Sequence, residues 1–191
     1  MGEWEGRRAF GEVLVSARAG DDDAFAELWR WLHPPLLRWL TVVAPRDVED
    51  VESEAWLSVA RGLDSFEGGA ADFRGWVFTI ARRRAIDWAR RHRRRPPAGA
   101  FDTVDVVDPN GSSSSLVDDA HAVDMATAVL RQLTPDQREV VSLRVIVGMT
   151  VAETAAIVGK SEGAVRVVCH RALRSLARRL DTKVLADGIA T

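Results

Sequence analysis

"TPDQREVVSLRVIVGMTVAETAAIVGKSEGAVRVVCHRALRSLARRL", residues 134–180, contains three helix starts and two helix stops. Thr134 stands three residues before Gln137, with Pro135 between them. That is a capping box with proline at the first helical position, where its missing N–H is not needed. Gly148 closes this helix. Thr150 and Glu153 repeat the box, and Gly159 is the next stop. Ser161 then caps a last helix, "EGAVRVVCHRALRSLARRL". Ala155, Gly159 and Val165 have the spacing of a helix-turn-helix: a small residue for close approach, glycine for the turn, an apolar anchor for the second helix.

The last helix divides cleanly on a wheel. Val165, Cys169, Ala172, Leu176 and Leu180 share a buried stripe. Gly163, Val167, His170, Arg171 and Arg174 lie opposite, with Arg166 at the edge. Such a face suits the major groove: arginines reach phosphates or guanine edges, and Val167 can touch a thymine methyl. A helical hairpin with a merely basic surface gives the same pattern, so the motif says DNA contact and not which activity. Cys169 reads as a core residue, and His170 as a phosphate or base contact.

Upstream, "AVDMATAVLRQL", residues 122–133, is amphipathic. Residues 96–121 are different in kind, with three prolines, four consecutive serines, many aspartates and no helical period. They read as a flexible acidic linker. The chain before them ends in "FRGWVFTIARRRAIDWARRHRRR", residues 73–95, with nine arginines and one acid, Asp87. The whole chain has a net charge of -2, so the charge is segregated. Two basic islands in an acidic chain predict polyanion contacts at two places, and a second partner for the acidic surface.

The basic stretch predicts a long helix from about 73 to 92. Val77, Phe78, Ala81, Ala85 and Trp88 form its core face, and Trp76, Ile80, Arg83, Asp87 and Arg91 the opposite, exposed one. An exposed face that mixes aromatic, aliphatic and arginine side chains suits unstacked bases and phosphates. A solvated charged face is the plainer alternative. Further upstream, Asp21–Asp23 start a helix, Pro34 and Pro35 break it, and Pro45 breaks the chain again. "RDVEDVESEAWLSVARGL" then places Val48, Val51, Ala55, Leu57 and Val59 on one stripe, and Gly62 ends the helix. The expected fold is all-α, two small helical domains joined by a linker.

One cysteine excludes an internal disulfide and a cysteine zinc site, and no two of the four histidines have metal-ligand spacing. No cofactor and no metal are expected. No apolar run has the length of a membrane span and residues 1–10 lack a signal-peptide core, so a cytoplasmic location is expected.

The order of these features, "DVEDVESEAW", then "FRGWVFTIARRRAIDWARRHRRR", a linker, then the helix-turn-helix block, resembles bacterial RNA polymerase sigma factors of the extracytoplasmic-function (ECF) group. The likeness covers residues 14–182. It implies sigma region 2 in residues 1–95, the linker in 96–121, and sigma region 4 in 122–185. It implies an alternative sigma factor with no catalytic group. Such a factor binds core RNA polymerase, recognises promoter elements near -35 and -10, and helps to melt the latter. On that likeness the -10 strand and its flipped base fall to Ser65, Phe66, Asp72, Trp76, Ile80, Arg83, Asp87, Arg90 and Arg91. The -35 element falls to Gly163, Arg166, Val167, His170, Arg171 and Arg174. Docking on the clamp helices of the largest polymerase subunit falls to Asp47, Glu49, Asp50, Ser53 and Glu54, with Glu52 beside them. Region 4 would meet the flap of the second-largest subunit. The likeness also implies an anti-sigma factor anchored in the inner membrane. The chain departs from the family's pattern at Ser53 (usually Gln), at Arg83 (often Asn), and at Val167 and Val168 (in many members Ser and Arg).

Two other readings compete. A stand-alone helix-turn-helix regulator explains residues 122–185 but leaves the N-terminal basic-aromatic helix without a purpose. A nucleic-acid enzyme needs clustered carboxylates for metal or a nucleophile beside a base. The acids at 47–54 instead spread around one exposed helix, with no histidine or second acidic motif to join them.

Overall fold

The computed structural model describes Trp4, residues 8–93 and residues 129–189. All regular structure among the described residues is helical. The N-terminal unit has α1 (Phe10–Arg18), α2 (Asp22–Val43), α3 (Val48–Gly62), a 3₁₀ turn (Leu63–Ser65) and α4 (Ala70–Arg93). The C-terminal unit has α5 (Pro135–Val141), a π-type turn (Ser142–Ile146), α6 (Val151–Val158) and α7 (Glu162–Ile189). The proposed linker 96–121 and most of the amphipathic stretch 122–133 lie outside the described residues; Val129 and Leu130 are helical at its end.

Asp21 starts α2 as expected, its Oδ1 accepting from the amides of Asp23 (3.0 Å) and Ala24 (3.2 Å). The expected break at Pro34 and Pro35 does not occur, and α2 runs through both. Each proline removes one helical hydrogen bond and crowds the preceding turn, at about 3 kcal/mol. Leu28, Leu32, Leu36, Trp39 and Leu40 are all essentially fully buried along one face. Their burial, at about 1.5–3 kcal/mol each, outweighs the two interruptions. The helix stops at Val43, just before Pro45, where no such stripe continues.

In α3, Val51, Ala55 and Val59 are fully buried at i, i+4 and i+8. The stripe was expected to include Leu57, and this is corrected: Leu57 is 56% exposed and Trp56 takes the inward place. Position 56 lies about 100° from 55 on the wheel, against about 200° for position 57. In α4 the inward edge is Phe73, Val77, Phe78 and Ala81, all fully buried. Ala85 and Trp88, further along, are half-buried.

Both capping boxes form. Thr134 Oγ1 accepts from the Gln137 amide, and the Gln137 side chain accepts from the Thr134 amide, each at 3.3 Å. Thr150 Oγ1 accepts from the Glu153 amide (3.1 Å), and Glu153 Oε2 accepts from the Thr150 amide (2.6 Å). Ser161 caps α7 through the Ala164 amide at 3.2 Å. The helix begun at Thr134 does not run regularly to Gly148. It widens at residues 142–146, where the Val147 amide reaches back to the Ser142 carbonyl (3.1 Å). On α7, Val165, Ala172 and Leu176 are buried and Cys169 is half-buried. The Leu180 side chain lies outside the described residues.

The two units pack on each other. One apolar cluster runs from Val13, Leu28, Phe73 and Phe78 into Val140, Leu143, Met149, Val158 and Val165. A second joins Val42 of α2 to Leu130, Leu133, Val141, Ala172 and Leu176. Two ion pairs cross the seam. Arg74 of α4 meets Glu153 of α6, and Arg82 of α4 forks onto Glu139 of α5 (2.7 and 3.2 Å). Burial disfavours the Glu153 carboxylate, but hydrogen bonds from Arg74 and from the Thr150 amide and hydroxyl more than offset it and hold its pKa below the usual range.

Gly159 sits at φ +69°, in the left-handed region, between α6 and α7. A Cβ there has space but a strained backbone. Gly159→Ala is expected to destabilise the helix-turn-helix unit by about 1–2 kcal/mol, read as a lower denaturation midpoint with an unchanged m-value.

Candidate nucleic-acid interface

The start of α4 is shaped by the loop before it. Gly68 has φ +143°, and a Cβ there would lie 2.7 Å from the Asp72 Cβ. Asp72 Oδ2 accepts from the Gly69 amide at 2.9 Å, so this carboxylate fixes the loop onto the first turn of the helix. Ser65 is exposed and donates its hydroxyl to the Gly62 carbonyl (2.9 Å). Phe66, in contrast, is buried. Its ring lies 5.2 Å from that of Phe73 and 5.0 Å from that of Trp76.

The expectation of one exposed face on α4 is therefore half met. Arg83, Asp87, Arg90 and Arg91 are exposed, whereas Trp76 and Ile80 are half-buried against the core. The reason is tertiary: Gly62 and Phe66, from the turn and loop before the helix, lie against the Trp76 ring, and Ile80 packs on the core. Trp76 thus presents one part of its ring to solvent from a rigid aromatic seat.

Further along, α3 and α4 leave an open groove of about 660 Å³. Glu54, Leu57, Ser58 and Arg61 form one wall, and Arg84, Asp87, Arg90 and Arg91 the other. Arg84 donates to Ser58 Oγ (3.0 Å) and Arg91 to Glu54 (3.2 Å). The Arg91 guanidinium also lies over the Trp88 ring, 5.2 Å from its centroid. Arg61, Arg84 and Leu57 were not anticipated at this surface. Their place depends on how α3 and α4 cross, which no periodicity within either helix reveals.

On α7 the expected face is all outward. Gly163, Arg166, Val167, His170, Arg171 and Arg174 are exposed. Arg166 is held by Glu162 one turn earlier (2.6 Å). His170, Arg171 and Arg174 line a second open groove, of about 540 Å³, with Gln137, Ser175 and Arg178. Two separate helices thus offer arginine-rich faces, one with aromatic seats and one at the second helix of a helix-turn-helix.

The sequence profile of Sigma-70 region 2 matches residues 28–95, and that of Sigma-70 region 4 matches residues 124–176. The ECF RNA polymerase sigma factor SigM of Mycobacterium tuberculosis is 35% identical over 175 residues, covering 91% of this chain and 85% of SigM. The chain belongs to the ECF RNA polymerase sigma factors. BldN of Streptomyces coelicolor, also an ECF sigma factor, is 33% identical over 171 residues, which span 88% of this chain and 65% of BldN. The fold matches the solved sigma factor RpoE, in complex with the anti-sigma factor NepR from Bartonella quintana, with a TM-score of 0.66 and 24% identity over 82% of this chain and 96% of that one.

In this ECF sigma factor the acidic residues of α3 fall into two groups. Glu49, Asp50 and Ser53 are exposed, and Asp47 is half-exposed at the helix start. Glu52 faces α2 and pairs with His33, whose ring stacks on Trp29 at 4.1 Å. Glu54 faces α4 and holds Arg91. Among the described residues no group of three His, Cys, Asp or Glu could hold a metal, and no helix is long and apolar enough to cross a membrane.

A Cβ on Gly62 would lie 2.9 Å from the Trp76 Cζ2. The Trp76 ring is hemmed in by Phe66 and Phe73, so it cannot move aside cheaply. Gly62→Ala is expected to cost about 1–3 kcal/mol by overpacking, measured by urea unfolding, and to displace the ring from its seat.

Proposed function

We propose that this sigma factor reads promoters with the two arginine faces just described, and that neither face carries out catalysis. The region 2 unit takes the -10 element along α4. Arg83, Arg90 and Arg91 neutralise phosphates, while Trp76 and Ile80 support unstacked bases from their half-buried seats, with Asp87 between the arginines. Ser65 and Asp72 border the loop that receives a flipped base, and Phe66 forms its buried floor. Stacking on a fixed ring lowers the cost of holding the strand open, because the ring needs no ordering when the base arrives. The region 4 unit takes the -35 element through Gly163, Arg166, Val167, His170, Arg171 and Arg174. The observation that carries this reading is the outward set of arginines on α4 and α7 within one chain.

The exposed acids Asp47, Glu49 and Asp50, with Ser53, form the docking face for core RNA polymerase. Glu54 supports that face indirectly, through Arg91. The complex of the RpoE relative with NepR supports an anti-sigma factor as a further partner. The site of action is the cytoplasm, where the polymerase is.

The test is transcription in vitro with core RNA polymerase, this chain and fragments of its own genome, with the RNA 5′ ends sequenced. Discrete starts that require the chain support the proposal. No starts, with no binding to core, leave a stand-alone DNA-binding regulator.

Two substitutions separate the faces. Arg171→Ala should lower promoter binding by about tenfold or more, through the -35 element alone, with core affinity unchanged. Trp76→Ala should leave the closed complex intact and reduce opening, read as permanganate reactivity of the melted bases. Equal loss of both steps would contradict the assignment.

A further inference from the structure

Trp4 stands outside every helix, yet its place is fixed. Its Nε1 donates to the Arg8 carbonyl at 2.7 Å, and the Arg8 guanidinium is tied to Glu27 of α2 at 2.8 Å. The Trp4 ring lies edge-on to Phe10 of α1 and to Trp31 of α2, with centroids 5.5 and 5.2 Å away. Both of those rings meet Phe73 of α4, at 5.7 and 6.5 Å. Phe73 is fully buried and also meets Phe66 and Trp76, at 5.2 and 5.7 Å. Each separation lies within the range of about 4.5–7 Å over which aromatic pairs attract. An unbroken run of ring contacts therefore joins residue 4 to the half-buried seat of Trp76.

This run has little slack. Phe73 meets four rings at once, and a Cβ on Gly62 would lie 2.9 Å from the Trp76 Cζ2. Side chains packed so closely shift together, because each fills the space that the others leave. Without Trp4, Phe10 and Trp31 each lose an edge-to-face partner and gain room to move, and both bear on Phe73. Trp29 and Trp88 are placed by other means, each stacked on a histidine, His33 at 4.1 Å and His92 at 4.9 Å.

We infer that Trp4 is a positioning residue for promoter opening: through Phe10, Trp31 and Phe73 it holds the Trp76 ring where an unstacked base meets it. The inference rests on the role proposed above for Trp76. Trp4 itself touches no base. Its contribution is preorganisation, since a ring already held in place needs no ordering when the strand arrives.

The test has two arms and uses the full chain. In the first, the seven tryptophans carry a fluorine label and their fluorine NMR resonances are assigned by replacing each in turn with phenylalanine. Trp4→Ala is expected to move the resonances of Trp31 and Trp76 and to leave those of Trp29 and Trp88 in place. An unmoved Trp76 resonance would overturn the inference. Equal displacement of every resonance would overturn it too, because that marks a general loosening of the fold.

In the second arm, core RNA polymerase carrying the chain opens a promoter, and permanganate reads the melted bases. Trp4→Ala should reduce opening by about two- to tenfold, the factor that one aromatic pair supplies, with core affinity and the closed complex unchanged. Trp4→Phe, which keeps a ring in the run, should restore most of the loss. In a chain already carrying Trp76→Ala, Trp4→Ala should cause no further loss, because a residue that acts through another has no separate effect. Losses that simply multiply would overturn the inference. If Trp76→Ala alone leaves opening intact, the proposed role of Trp76 fails, and the fluorine arm alone decides whether Trp4 sets the place of that ring.

Discussion

The buried edge of α4 is the constraint on which the molecule is organised. Phe73, Val77, Phe78 and Ala81 are fully buried, and the elements that bury them come from both units. Because this edge is held so tightly, the rest of the helix has little freedom in rotation. The direction in which Arg83, Asp87 and Arg91 point is set by packing on the opposite side. A nucleic-acid surface needs that property, since arginines that must find their orientation on binding lose affinity to side-chain ordering.

The same constraint divides the arginines of residues 73–95 into different kinds. Arg74 and Arg82 are committed to carboxylates across the seam. Arg84 bonds a serine of α3, and Arg91 a glutamate of α3. Arg83 and Arg90 point outward with no ion pair among the described residues. A stretch that looks like a uniform basic surface thus interleaves arginines tied to neighbouring helices with arginines that face outward, within single turns. The acids of α3 divide in the same way: Glu52 and Glu54 face neighbouring helices, while Glu49 and Asp50 face outward.

What could be read from the sequence was what is decided locally. The two capping boxes, the Asp21 cap and the left-handed Gly159 each depend on residues within a few positions, and each is present. The outward set on α7 was legible because Gly163, Arg166, Val167, His170, Arg171 and Arg174 all fall on one exposed side of that helix. What was not legible depended on distant partners. Pro34 and Pro35 stay helical because of a leucine and tryptophan stripe packed on other helices. Trp76 is half-covered because Gly62 and Phe66 of the preceding turn lie against its ring, and Ile80 because it packs on the core. Leu57 is the exception: position 57 lies about 200° from the buried Ala55, so its outward place follows from the helix period alone. The groove lined by Arg61 and Arg84 exists only where two helices cross.

Glu153 joins two events that are usually separate. One of its oxygens holds the start of α6, and the other meets Arg74 on the far side of the seam. The local unfolding of one short helix and its contact with α4 are therefore linked equilibria. Anything that pulls Arg74 away removes a support from the first turn of the helix-turn-helix, and any fraying of that turn loosens its hold on Arg74. By reciprocity the two effects are equal in free energy. Amide hydrogen exchange at the start of α6 would rise and fall with the Arg74–Glu153 contact, so one backbone N–H serves as a gauge of a contact between two units.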